Sequence, residues 1–300
     1  MCTAITLHTK DHYFGRNLDL EYTYNETVTI TPRNYPFYFR SKFSLPCHHA
    51  IIGMAYVNNG YPLYYDAMNE MGLSMTGLHF PGNAIYLPSK KDMDNIAPFE
   101  FIPWILGQCS TVKEARNFLR RINLIDVPFS NELPITPLHF MISDKNESIV
   151  IEPLKDGIKI YDNPVGVLTN NPPFDIQLSE QNKFEVLPGD WSSQSRFAKA
   201  AFVKSNSVCE SSERSSVNQF FHILNTVAQP RISTEMKNGL YEITVYSSCC
   251  NLDKGIYYYK TYDNSQIIGV DMFLEDLEYN QLISYLLLKE ENFFIQNKNV

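Results

Sequence analysis

MCTAITL (residues 1–7) and HYFGR (residues 12–16) open the chain as two β-rich runs around the polar turn Lys10-Asp11. They read as an N-terminal hairpin, so the first strand begins at Cys2. The same grammar returns further along. Ile149–Glu152 and Ile158–Tyr161 flank Lys155-Asp156-Gly157 as a second hairpin. Glu242–Ser248, Ile256–Tyr262 and Gln266–Asp271, separated by Asp253-Lys254-Gly255 and Asp263-Asn264-Ser265, read as an antiparallel meander. Helices fall between these groups. Thr111-Val112-Lys113-Glu114 is a capping-box pattern, after which Val112, Ala115, Phe118, Leu119 and Ile122 share a face. Phe99–Leu106, interrupted by Pro103, and Val217–Val227, with Phe220, Phe221 and Leu224 on its apolar side, are two more. Hairpins with intervening helices and few βαβ units predict antiparallel sheets covered by helices, an α+β fold. The expectation is a single domain over residues 1–300, with a polar tail, Glu290–Val300, that frays.

Composition sets the function classes. Hydrophobic residues make up 44% of the 300 and charged residues 19%, which suits a folded chain with a sizeable core. The balance of 25 basic against 33 acidic residues gives a net charge of −8, with no basic stripe, so nucleic acid and anionic membrane are poor partners. The start lacks the basic and apolar regions of a secretory signal, and no apolar run spans a bilayer; a cytoplasmic protein is expected. The seven histidines are scattered, the six cysteines show no zinc spacing, and no Gly-rich phosphate loop appears, so no metal or organic cofactor is expected.

Cys2 is where chemistry becomes available. A small second residue permits removal of Met1, which exposes a thiol and a free α-amine on one residue. An α-amine with a reference pKa of about 7.7–8.0 loses its proton near neutrality and serves as a base, so nucleophile and base come together. The thiolate is the attacking form, and nearby cations favour it. Position alone favours the plainer reading, a small buried thiol in an edge strand, over a nucleophile.

The opening MCTAITL and FGRNLD, followed in order by TPRNYPF, YPLYYDAMNEMGL, FEFIPWILGQCS, SIVIEP, VGVLTNNPPFD, PGDWSSQSRF, FFHIL and YSSCCNLDKGIYYYKTYDNSQI, resembles the choloylglycine hydrolase family. That family comprises bile salt hydrolases and penicillin V acylases, and the likeness is nearer to the bile salt hydrolases of Gram-positive gut bacteria. The resemblance implies the αββα sandwich of N-terminal nucleophile hydrolases and cleavage of an amide bond through Cys2. It implies Arg16 as the cation beside the thiol and Asp19 as the acid that orients the α-amine. It also implies Asn170 as an oxyanion donor and Arg196 as a second site arginine. Read without it, Arg16 is a surface strand residue, Asp19 a turn residue, Asn170 part of a turn before Pro172, and Arg196 a surface charge at a helix start.

Two departures from the family pattern narrow the expectation. Gly77-Leu78-His79-Phe80 carries histidine where bile salt hydrolases usually have asparagine. The resemblance implies that the backbone N–H of residue 79 serves the oxyanion hole and that its side chain faces substrate, where a histidine, unlike asparagine, can titrate near neutrality. The interval between LTN and PGD is short, Phe174–Leu187 replacing a longer stretch with a Gly-rich run and a projecting hairpin used in tetramer assembly. A dimer is then as well supported as a tetramer, and the return of Arg196 to Cys2 is in question. By the same resemblance Leu20, Tyr24, Tyr61, Ile135 and Leu138 line a substrate pocket, although each also suits core packing. Conjugated bile salts are the implied substrates; penicillin V, N-acyl homoserine lactones, or a degenerate bile-salt-binding role are the alternatives.

Overall fold

Strands β1 (Cys2–His8) and β2 (His12–Leu20) form the expected hairpin, in register from Cys2 opposite Leu18 to His8 opposite His12. Nearly every residue of both is buried, including Thr3, Arg16, Asn17 and Asp19. These polar groups must therefore find partners inside the protein, which is how a site is built here. The computed structural model describes residues 1–41, 43–181, 187–231, 234–235 and 239–298.

The remaining strands of the two large sheets are β3 (Thr27–Thr31), β4 (Ile51–Asn58), β5 (Tyr61–Asn69), β6 (Ser74–His79), β7 (Leu138–Ser143), β8 (Ser148–Leu154), β9 (Gly157–Asp162), β10 (Val167–Leu168), β11 (Tyr241–Asn251), β12 (Ile256–Thr261), β13 (Ile268–Asp271) and β14 (Ile283–Leu286). One sheet runs β10-β1-β2-β11-β12-β13, with Thr234–Glu235 paired to β11; the other runs β9-β8-β7-β6-β5-β4-β3-β14. Every neighbouring pair along both paths is antiparallel. A small parallel pair, Asp94–Ile96 with Ile122–Leu124, lies outside them.

Alternation along the strands sets the layers. In β4, Ile52 and Met54 join Leu18, Tyr246 and Met141 between the sheets. Ile51 and Ala55 point the other way, onto helices α1 (Phe101–Gln108) and α2 (Val112–Leu119). After a further helix, α3 (Phe174–Glu180), come α4 (Ser193–Ser205) and α5 (Glu213–Asn225). Phe197, Phe220 and Leu224 of α4 and α5 join the same cluster as the first sheet and cover its outer face. The order is helix, sheet, sheet, helix. Gly15 allows β11 to approach β2, because a Cβ there would lie 2.0 Å from the Ser248 carbonyl oxygen.

Element boundaries moved for local reasons. Where a helix over Phe99–Leu106 is expected, Pro98–Glu100 forms a 3-10 turn and α1 starts at Phe101. This places Pro103 in the first turn, where a missing N–H costs nothing. The Thr111 hydroxyl caps α2 by accepting the Glu114 N–H, but the Glu114 carboxylate takes the Ser110 N–H instead of closing the box on Thr111. The helix expected from Val217 begins at Glu213, capped by Ser212. Helix α3 occupies the first half of the short interval expected between LTN and PGD, of which residues 182–186 lie outside the described chain.

Candidate active site

Cys2 occupies the first position of β1, buried, with Met1 still attached in the described chain. Its nitrogen donates to Asn170 Oδ1 at 2.7 Å. The Met1 ammonium forms an ion pair with Glu242 and donates to the Asp19 carbonyl at 3.2 Å. Burial pulls the pKa of this amine below its ordinary value, against the opposing pull of Cys2 and Asp19.

Two arginines approach from opposite sides of the sheet. Arg196 lies in the first turn of α4 and is fully buried, so it is not a surface charge. Its Nη1 donates to the Cys2 carbonyl and to Thr3 Oγ1 (2.7 Å), its Nη2 to Asn170 Oδ1 (2.8 Å), and its Nε to the Trp191 carbonyl (3.0 Å). A planar fork suits four acceptors spread over three segments. The short interval therefore does not keep Arg196 from Cys2. Arg16 reaches from β2 toward the second sheet, where Nη1 donates to the Gly77 carbonyl (2.6 Å) and Thr76 Oγ1 (2.9 Å). Its Nη2 is buried without a partner among the described residues. Burial opposes this guanidinium's charge, but the attraction of Cys2, Tyr246, Asp66 and Asp19 outweighs it and raises the pKa.

Asp19 Oδ1 accepts the Thr244 hydroxyl at 2.6 Å, across a β2–β11 register that places the two residues opposite each other. Its Oδ2 is buried and unpartnered among the described residues. Burial pushes the Asp19 carboxyl above the usual range, while the chain's amino terminus, Arg196 and Thr244 pull it down.

Asn170 has both ends engaged. Its Oδ1 takes the Cys2 and Arg196 donors, and its Nδ2 donates to the His79 carbonyl at 2.7 Å. Gln177 of α3 fixes the loop, donating from Nε2 to the Asn170 and Pro172 carbonyls, both at 2.7 Å. His79 ends β6 opposite Leu138. The ladder bond at this end runs from Phe80 N–H to the Pro137 carbonyl, so His79 and Leu138 form a non-hydrogen-bonded pair. The His79 N–H thus turns away from β7, toward the side where β5 pairing has ended at Asp66 opposite Thr76. Burial lowers the His79 imidazole pKa, helped by the chain's amino terminus.

These groups open into a cavity of about 700 Å³ whose lining includes Cys2, Arg16, Asp19, His79 and Asn170. Leu20, Tyr24, Ile135 and Leu138 are on its wall. Tyr61 is not among the lining residues; its ring lies behind the wall, edge-on to Phe99 at 5.7 Å, with Phe129 at 5.8 Å. Sequence reasoning passed over Glu242, Thr244, Gln177 and the wall segment from Val127 to Pro134. That segment mixes apolar and polar residues between Pro128 and Pro134 without any period, so no pattern marked it. Among the described residues no group of three His, Cys, Asp or Glu side chains gathers as metal ligands, and no helix is long and apolar enough to cross a membrane.

Residues 2–186 and 185–285 match the profile of the linear amide C–N hydrolases, choloylglycine hydrolase family. The chain is 50% identical over 324 aligned residues to a bile salt hydrolase/transferase of Lactiplantibacillus plantarum, covering 99% of this chain and 100% of that protein. A solved structure of a conjugated bile acid hydrolase from Clostridium perfringens matches with a TM-score of 0.91 at 35% identity, covering 99% of this chain and 100% of that one. Penicillin V acylase from Agrobacterium tumefaciens matches with a TM-score of 0.78 at 20% identity, over 94% and 90% of the two chains, a likeness of fold alone. The layered α+β architecture is that of the N-terminal nucleophile hydrolases.

Proposed function

The chain belongs to the choloylglycine hydrolase family of linear amide C–N hydrolases, and from that membership we propose that, once freed of Met1, it cleaves glycine- or taurine-conjugated bile salts through a Cys2 thioester. The observation that carries this reading is the placement of Cys2 on the wall of an apolar cavity of about 700 Å³, its nitrogen 2.7 Å from Asn170 Oδ1. A rigid steroid needs an apolar wall with a few convergent polar groups, and this cavity supplies both.

Removal of Met1 turns that nitrogen into an α-amine already aligned on Asn170 Oδ1, and Asp19 Oδ2, unpartnered among the described residues, can accept from an ammonium. The amine takes the thiol proton and the thiolate attacks the amide carbonyl, giving a tetrahedral oxyanion. Asn170 Nδ2 and the His79 N–H are the donors for that oxygen, each worth about 2.7–4 kcal/mol in comparable hydrolases. Arg16 stabilises the thiolate by its fixed charge. Collapse breaks the C–N bond, and the Cys2 ammonium returns its proton to the departing glycine or taurine amine. Water, deprotonated by the same amine, then cleaves the thioester and releases the free bile acid. Arg196 acts through the Cys2 carbonyl and Asn170, holding nucleophile and oxyanion donor in one frame. The His79 side chain, exposed on the cavity wall, is the assigned determinant of which conjugate is preferred.

The test is side-by-side release of glycine, taurine and 6-aminopenicillanic acid by the processed chain and its Cys2→Ala variant, with intact mass confirming loss of Met1. Glycine or taurine release that vanishes in the variant is expected. Release of 6-aminopenicillanic acid alone, or no Cys2-dependent release at all, sinks the proposal.

A further inference from the structure

Directly behind the site lies a fully buried ionisable pair that the mechanism above does not use, His139 on β7 and Glu152 on β8. His139 Nε2 is 2.7 Å from the Thr169 carbonyl oxygen. A carbonyl only accepts, so Nε2 carries a proton and donates. Nδ1 lies 3.4 Å from Glu152 Oε1, the oxygen that also accepts the Phe174 N–H at the start of α3 (2.8 Å). One face of the imidazole stacks on the Phe80 ring, centroids 4.2 Å apart and planes 6° from parallel.

The sequence neighbours give these contacts their meaning. Thr169 precedes Asn170, and Phe80 follows His79. A single imidazole therefore touches both chain segments that supply oxyanion donors, while the Asn170 Nδ2 bond to the His79 carbonyl ties the same segments in front. An apolar side chain of similar size would fill the space without the desolvation cost of a buried polar pair. What the imidazole adds is direction: it fixes the height of the Thr169–Asn170 backbone relative to β6, the coordinate on which donor-to-oxyanion distance depends.

We propose that His139 is a positioning residue for the oxyanion hole, oriented by Glu152, which sets the spacing between the Asn170 side chain and the His79 backbone. This rests on the assignment of those two groups as the oxyanion donors. Deleting an oxyanion donor costs about 10²–10³ in kcat, and displacing one costs less.

The experiment uses the full processed chain, with His139→Phe to keep the stack on Phe80 and lose the donor, and His139→Gln to restore a donor toward Thr169. A glycine-conjugated bile salt is the kinetic probe, and the side-chain amide NMR signal of Asn170, assigned with Asn170→Gln, is the structural one. Expected for His139→Phe is a kcat lower by about 10- to 100-fold with KM within about twofold, together with a displaced Asn170 signal. His139→Gln should recover most of both. A kcat for His139→Phe within about twofold of wild type, a KM that rises in step with the fall in kcat, or a glutamine variant no better than phenylalanine overturns the proposal. If His139→Phe does not fold, Glu152→Gln, which keeps an acceptor for Phe174, takes its place: a several-fold loss confined to kcat supports the role, and an unchanged kcat overturns it. If the wild type cleaves no conjugate, the functional reading fails separately, and the Asn170 signal still decides whether His139 positions it.

Discussion

Asp19 carries one oxygen bound to Thr244 and one without a partner among the described residues in a fully buried place, which is an unusual state for a carboxylate. The Thr244 hydroxyl also accepts the Gln229 N–H at 2.7 Å, so it is fixed from a second direction. Burial raises the Asp19 pKa and the Thr244 bond lowers it. Thr244→Val therefore raises it further. In the proposed mechanism an ionised Asp19 holds the Cys2 ammonium, so the acid limb of the kcat/KM profile should move to higher pH, with several-fold lower activity on its acid side. A pH–rate profile of the two proteins checks this, and coincident acid limbs would remove Asp19 from the role. At this scale the sequence shows residue types and not directions. Cys2 drew attention because a thiol and an α-amine can meet only at a chain start, but the resemblance, not its position, singled it out. Arg196 read on its own gave a surface charge, since nothing in Ser-Gln-Ser-Arg-Phe tells which face of α4 turns inward.

Helix α3 is the element that pattern reading could not find. It has seven residues, only Phe174 and Gln177 are buried, and Asn171-Pro172-Pro173 before it looks like a simple turn. The hairpins were legible by contrast, because turn chemistry and alternation agree over several residues on each side. Gln177 makes the short helix consequential. Besides its two donated bonds, its Oε1 accepts the Thr169 hydroxyl at 3.0 Å and the Thr169 N–H at 3.3 Å. Gln177→Leu leaves the buried Asn170 carbonyl and the partly buried Pro172 carbonyl without that donor, and a buried group so orphaned costs about 1–3 kcal/mol. A drop of that order in urea unfolding free energy is expected, with kcat falling as the Asn170 loop loosens. Full activity at reduced stability would show the loop to be held without α3.

Across the whole molecule, the two ends of the β1–β2 hairpin do different work. The N-terminal end carries Cys2. At the turn end, His12 is buried with its Nδ1 3.1 Å from that of His8, and burial pushes its pKa down to about 3, with His8 adding to the effect. The unfolded chain binds this proton near 6.5 and the folded chain refuses it until about 3. Its contribution to stability is therefore complete above pH 6.5 and is lost as the pH falls toward 3. Between pH 7.5 and 5 the wild type should lose about 2 kcal/mol more than His12→Gln in urea unfolding. Equal losses in the two proteins would contradict this burial account. The sheet order that brings β2 beside β11 joins residues more than two hundred positions apart, such as Asp19 and Thr244. No local pattern encodes such a pairing. The layer type was foreseeable from the strand signals, but which strands stand side by side was not.

The Met1 ammonium held by Glu242 has a practical corollary for anyone making this protein. If Cys2 acts through its α-amine as proposed, a purification tag fused ahead of Met1 withholds that amine and yields a folded but silent preparation. Output from a strong promoter would be rationed by the host's methionine aminopeptidase, so specific activity should track the trimmed fraction read by mass spectrometry. The far terminus is the safer handle, because Phe293, Phe294 and Ile295 stand exposed on the surface.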